Sequence, residues 1–478
     1  MFRMPTTQAT QTRPATPTRP PSLTAPPGRL FAREHLPVVA GTVALVTLGA
    51  FENRAVMTIL PTVTRDLDGW ALFGASTGAS LVTFTIAMAW AGGWTDRRGP
   101  RPALLLGLLA FAIAQVVSGL APTMGVFVAG RALSGAAEAL VNTALVVLVA
   151  QALPAELRAK VFASFAAAWI LPSLLGPSVA GVLDALAGWR AVFVAPLVIV
   201  PLALLPVRRA LRTTHPGVSG EVDVGQGRRV RASLVLAGGL SVTLLAATLL
   251  AEPTTRAPGV VALAVGVSGV LVGAARALPA GAARLAAGIP TVVTLQLLVS
   301  AAYTGVAGLI PLMLVQTHGA STALAGVSLS VTGVFWAAGS WLNGTDRAQG
   351  LAAAVRLRLG GALIAVGALG PVLLALDVVG IAAGMTGWSL GALGMGIVSP
   401  TITTELLAQA PPEEHGRVSS AQGLAVSTGV ALQTALVGAV VALGGDGLDG
   451  PAFAALMAAG GVTAVGVSLA AGRSRPAA

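Results

Sequence analysis

Fourteen stretches of the chain are apolar and long: 36–60, 71–93, 102–121, 124–151, 161–186, 191–207, 232–251, 258–277, 289–315, 323–343, 354–376, 379–409, 417–444 and 452–472. A helix crosses bilayer hydrocarbon with about 20 apolar residues, within a range of about 17–25. The pattern therefore predicts a membrane-spanning helix in each run. The shortest stands nearly upright, and the longest tilt or protrude. The pair 232–251 and 258–277 carries the fewest landmarks, so the pattern leaves twelve spans as the alternative to fourteen. Residues 1–35 are rich in Pro, Thr and Arg and lack the apolar segment of a signal peptide. They read as a disordered tail, and the first run as a retained helix.

Composition sharpens this picture. The 478 residues are 55% hydrophobic and only 10% charged, with a mean hydropathy of +0.83. That is the balance of an integral membrane protein. There is no cysteine, so no disulfide framework or thiolate metal site is available. Four histidines fall in loops or at span ends, and no nucleophile elbow, phosphate-binding loop or zinc pattern occurs. The sequence thus argues against an enzyme, a metal site or a bound cofactor.

The basic residues orient the chain. With the N-terminus in the cytoplasm and the runs alternating sides, 24 of the 29 Lys and Arg residues fall on cytoplasmic segments. Three (Arg65, Arg190, Arg256) fall outside, and Arg54 and Arg131 lie within runs. This asymmetry predicts a multi-pass protein of the cell membrane with both termini cytoplasmic. It also accounts for the net charge of +11 without nucleic acid. Dropping the uncertain pair would preserve the asymmetry, so charge does not separate twelve spans from fourteen.

The turn Gly92-Gly93-Trp94-Thr95-Asp96-Arg97-Arg98-Gly99-Pro100-Arg101 packs four charges between two apolar runs. Its spacing of Gly92, Asp96, Arg97, Gly99 and Arg101 resembles the loop between spans two and three of the major facilitator superfamily. Pro102 stands where that family often has a second basic residue. The resemblance implies that Asp96 and Arg97 join charge contacts closing the cytoplasmic side. Gly339 to Asn343 followed by Arg347 looks like a decayed copy, with Asn343 in the aspartate's place, as expected of two six-helix repeats.

Charge inside a span is rare, costing roughly 2.5–3.5 kcal/mol at the centre, and Glu52, Arg131 and Glu138 need a reason to be there. Glu52, nine residues before Pro61, resembles the first-span acid of drug:proton antiporters, with Arg54 where that family more often has Thr. Arg54 lies about 200° round the helix from Glu52 and reads as snorkelling outward. Arg131, Glu138 and Asn142 form one helical stripe that should line a central cavity. Arg131 with Gly135 matches the superfamily's fourth-span pattern, which is implicated in proton translocation. The alternative for Glu138 is an ion pair that neutralises Arg131. Gly176, Pro177 and Gly181 resemble the antiporter motif of span five, with small-residue packing as the alternative. Trp189-Arg190 through Pro196 resembles an outer loop of the fourteen-span drug-exporter branch. Gln296 and Tyr303 share a helix face and are candidates for substrate contact or for structure.

These readings predict an all-α integral membrane protein of the major facilitator fold. Residues 36–207 and 289–472 form six-helix bundles, 208–288 supply a linker and two extra spans, and 473–478 form a tail. The expected function is proton-coupled antiport exporting small amphipathic or cationic compounds, resembling multidrug efflux. Glu52, Arg131 and Glu138 couple protons, and Glu52, Glu138, Asn142, Gln296 and Tyr303 line the substrate cavity. Export of a lipid, siderophore or self-made antibiotic is the alternative on the same fold, and a non-transporting membrane sensor is the other. The expected partners are the lipid bilayer, protons and a small-molecule substrate, with the chain a monomer and the proton gradient its energy source.

Overall fold

The computed structural model describes residues 35–69, 72–214, 226–251, 253–320, 322–444 and 449–475. The expected tail at 1–34, the middle of the 208–231 linker and residues 476–478 lie outside the described residues. The apolar runs become helices: α1 (Leu36–Asp66), α2 (Phe73–Arg98), α3 (Pro100–Gly119), α4 (Met124–Ala152), α5 (Ala155–Ala168), α6 (Ile170–Ala187), α7 (Val194–Thr213), α8 (Gln226–Ala251) and α9 (Arg256–Ala277). They continue as α10 (Ile289–Gln316), α11 (Thr322–Asn343), the short α12 (Asp346–Gln349), α13 (Ala353–Ala375), α14 (Ile381–Gln409), α15 (His415–Gly444) and α16 (Gly450–Ala470). Among the described residues, ten segments are long and apolar enough to cross a membrane by length and composition.

Local chemistry sets the boundaries. Gly99, at φ +82°, closes α2, and Pro100 opens α3 at once. Glycine tolerates positive φ, and proline suits a first helical position because its missing amide would go unbonded there. Thr123 caps α4 by accepting from the Val126 amide, and Asp449 caps α16 by accepting from Ala452. The run 161–186, expected as one span, is instead broken at Trp169 into α5 and α6. Pro172 has no amide to donate to the Ala168 carbonyl, so the helical ladder is interrupted there. The chain then runs on helically through Pro177.

Two sets of helices pack internally. In the first, α1 lies on α6 and α7, and α2 and α3 lie on α4. In the second, α10 lies on α15 and α16, and α14 lies on α11 and α13. The sets meet where α2 touches α15 and α5 touches α11. Large apolar side chains such as Leu109, Leu171, Leu186, Leu202 and Leu469 are exposed on the outer faces, as a lipid-facing surface requires.

The α8–α9 hairpin is held by close backbone contact. A Cβ on Gly266 would sit 2.7 Å from the Thr243 amide, and one on Gly269 would sit 2.9 Å from the Gly239 Cα. Small residues at these positions let the two helices approach closely. The hairpin packs on both sets at once, with Leu236, Leu240 and Val270 joining Met88 of α2 and Leu424 of α15.

Candidate functional site

Glu52 on α1 and Arg131 and Ser134 on α4 are each about 95% buried, and they converge. The Arg131 Nη1 donates to Glu52 Oε1, and Ser134 Oγ donates to the same oxygen at 3.1 Å. Two hydroxyls of α2 fix the height of α4. Ser80 donates to the Arg131 carbonyl at 2.9 Å, and Thr83 to that of Ala132 at 2.6 Å. Gly135 permits this approach, because a Cβ there would lie 2.6 Å from Thr83 Oγ1. The Arg-then-Gly spacing therefore has a mechanical basis: the glycine admits α2, and α2 positions the arginine.

Glu138 is partly exposed, one turn beyond Ser134. With Glu52, Asn53 and Ser134 it lines a cavity of about 40 Å³, walled by Leu45, Leu108, Phe111 and Val141. Asn53, which lines the same cavity, donates to the Gly49 carbonyl at 3.1 Å. One guanidinium pairs with one carboxylate, and a second carboxylate shares the first one's cavity. The trio carries one net negative charge when both acids are ionised and none when one is protonated. Arg131 Nε has no partner, so the arginine is not saturated by Glu52. Asn142, on the predicted stripe, is exposed and is not among the residues lining this cavity.

Arg54 is an exposed residue of α1. Its Cβ packs against α6, 3.2 Å from where a Gly176 side chain would begin. Gly176 is buried in that contact, while Gly181 is exposed with open space around it.

Gln296 and Tyr303 are both buried in the second set. Gln296 donates to Ser300 Oγ at 3.0 Å and accepts from Gln422, which also donates to Thr403. Tyr303 stacks on Trp388 with centroids 5.1 Å apart and meets Trp336 edge-on at 5.0 Å. Neither lines the cavity at Glu52, and the partners of each lay unremarked in the sequence.

The turn at 92–101 marks one end of the molecule. There Asp96 reaches the N-terminus of α15, accepting from the Gly416 amide at 2.6 Å and the Arg417 amide at 2.8 Å. A carboxylate suits the unbonded amides and positive dipole of a helix start. Burial nevertheless raises the Asp96 carboxyl to about 7, against the lowering pull of the two amides and of Arg417. Gly92 packs on Ser420 and on the Gly416 carbonyl, so the motif glycine is where α2 and α15 touch. Arg97 is half-buried and Arg101 exposed. A second bridge at this end was not foreseen: Lys160, the only lysine, meets Asp346 at 2.7 Å between α5 and α12. Asn343, the decayed aspartate, stays within its own set, accepting from Arg356 and Thr401.

At the opposite end, Asp66 closes α1 and accepts from Trp189 Nε1 at 2.8 Å and Arg190 Nη1 at 3.1 Å. Those hydrogen bonds, Trp189 first, hold its carboxyl below the usual range. The Trp-Arg pair is thus a brace between α1 and the α6–α7 joint. Among the described residues, no three acidic or histidine side chains converge as metal ligands.

Comparisons agree with this architecture. The Major Facilitator Superfamily profile matches residues 42–434. A Mycobacterium tuberculosis protein named "Probable multidrug-efflux transporter" is 32% identical over 213 residues, 44% of this chain and 45% of that protein. The methylenomycin A resistance protein of Bacillus subtilis is 32% identical over 184 residues, 38% of this chain and 37% of that protein. The matches therefore span less than half the length of these curated relatives. The human organic anion transporter MFSD10 superposes with a TM-score of 0.65 at 15% identity, over 92% of this chain and all of that one. At that identity the likeness shows the fold alone.

Proposed function

The chain belongs to the major facilitator superfamily, and from that premise we propose that it is a proton-coupled antiporter exporting small amphipathic compounds. In this reading the fourteen apolar runs are fourteen spans, with α8 and α9 an extra pair between two six-span bundles. The Asp96 end faces the cytoplasm, as the distribution of basic residues supports. One observation carries the proton coupling: Arg131 pairs with Glu52, and Glu52 and Glu138 line one small cavity. A proton on either acid balances the trio, and losing it frees a negative charge for a substrate cation or for the next proton.

Transport then alternates. With the Asp96 end open, substrate enters as a proton leaves the acid pair. The bundles rock, the Asp96 clasp closes, and a proton from the far side returns to the pair and displaces substrate. The likeness to the tuberculosis protein supports efflux of foreign compounds, and the methylenomycin relative supports a narrower role in exporting an antibiotic.

Purified protein in liposomes under an imposed pH gradient tests this. A panel of cationic, neutral and anionic amphipaths should include compounds whose accumulation stops when the gradient is collapsed. Accumulation that persists without the gradient would refute proton coupling.

A further inference from the structure

A cavity of about 380 Å³ opens at the Asp96 end, between α2, α8, α9 and α15. Four arginines line it, all from helix ends: Arg228 and Arg229 from the start of α8, Arg276 from the end of α9, and Arg417 from the start of α15. Two carboxylates stand near them. Glu414 pairs with Arg417, and Asp96 is held by the α15 amides. Burial, and after it the like charge of Arg417, lower the Arg229 pKa, while Asp96 and Glu414 offset this in part. An added anion would relieve that repulsion. Ser420 also lines the cavity; it is 5% exposed, and its Oγ has no partner.

The rest of the wall is apolar, including Ala89, Leu278, Ile289 and Leu424. Guanidinium groups bind phosphate oxygens in paired hydrogen bonds. Free phosphate would use the arginines and the serine alone. A membrane lipid would use the apolar wall as well, and the cavity lies where α8 and α15 begin and α9 ends. We infer that this cavity is a binding site for the phosphate headgroup of an anionic membrane lipid, joining the α8–α9 pair to the α15 terminus that Asp96 grips. The inference does not depend on what the protein transports.

Native mass spectrometry of the full chain in neutral detergent, titrated with phosphatidylglycerol, phosphatidylcholine or inorganic phosphate, tests it. Phosphatidylglycerol should bind and survive activation, with phosphatidylcholine at least tenfold weaker. The combined R228Q, R229Q and R276Q variant should bind phosphatidylglycerol at least tenfold more weakly, since each charge near the surface contributes several-fold. A control variant, R98Q with R347Q and R473Q, loses the same charge from exposed positions and should change by less than twofold. Arg276→Gln alone serves where the triple variant fails to fold, with a loss of about fivefold expected. Equal binding of the two lipids, or equal weakening by the control, would overturn the site. Phosphate binding as tightly as phosphatidylglycerol would overturn the lipid assignment in favour of a soluble anion.

Discussion

Gly416→Ala should loosen the Asp96 clasp. A Cβ at this position would lie 2.6 Å from Asp96 Oδ1 and 2.6 Å from the Gly92 carbonyl oxygen. An ordinary contact needs about 3.4 Å, so α15 and α2 must separate by about 0.8 Å. Such a shift stretches the Gly416 hydrogen bond from 2.6 Å to roughly 3.4 Å, past the useful range for N–H···O. Above pH 7, where Asp96 is ionised in the clasp, a hydrogen bond to it contributes about 1.5–3 kcal/mol. Losing one, with the other weakened, should lower the closed-to-open ratio at this end by about tenfold to a hundredfold. Because the chain has no cysteine, spin labels can be placed cleanly at the exposed positions Ala155 and Arg347, one in each helix set. Pulsed dipolar spectroscopy should show a longer, broader distance in Gly416→Ala than in wild type. In an Asp96→Ala background the added effect should shrink, because the carboxylate is part of the clash. An unchanged distance distribution in correctly folded Gly416→Ala protein would refute this account of the clasp.

Further expectations concern charge. The Asp96 carboxyl is raised to about 7 in the closed clasp and returns toward the usual value near 4 when exposed. Closing therefore takes up a proton, and the closed population should fall as pH rises from about 4 to 7 and then level off. Asp96→Asn should abolish this slope in the same distance measurement. Lys160→Met should matter little, by less than about 1 kcal/mol, because Asp346 is largely exposed and such pairs are weak; a large opening in the labelled pair would contradict this. Arg131→Met should cost about 3–5 kcal/mol, since it strands Glu52 as a buried charge, with thermal unfolding in detergent as the readout. Asp66→Asn should lower the Tm at pH 7, and the difference from wild type should vanish as pH drops below the ordinary carboxylate range, because the native state depresses this pKa.

Helix content was legible because apolar runs of bilayer length have few other fates. The polar pair Glu52 and Arg131 was legible for the same reason reversed: charge within such runs demands a partner. That the two bond each other across 79 residues was not legible, since spacing within one helix says nothing about which helix faces it. Pro172 was in plain view, yet its power to split a span at Trp169 competes with tolerance of proline in membrane helices. The grip of Asp96 escaped the sequence altogether, because its partners are backbone amides that any helix start supplies. Lys160 was visible as the lone lysine, but a single residue type gives no direction to its partner at Asp346.

The proton site itself is tested most directly by pH-gradient-driven efflux through reconstituted Glu52→Gln protein, compared with wild type. The carboxamide keeps the size of the side chain and can still accept from Ser134 and Arg131, and a monodisperse size-exclusion profile confirms folding before transport is read. Gradient-driven efflux should be lost while substrate exchange without a gradient is retained. Full gradient-driven efflux by Glu52→Gln would contradict the assignment of Glu52 to proton coupling.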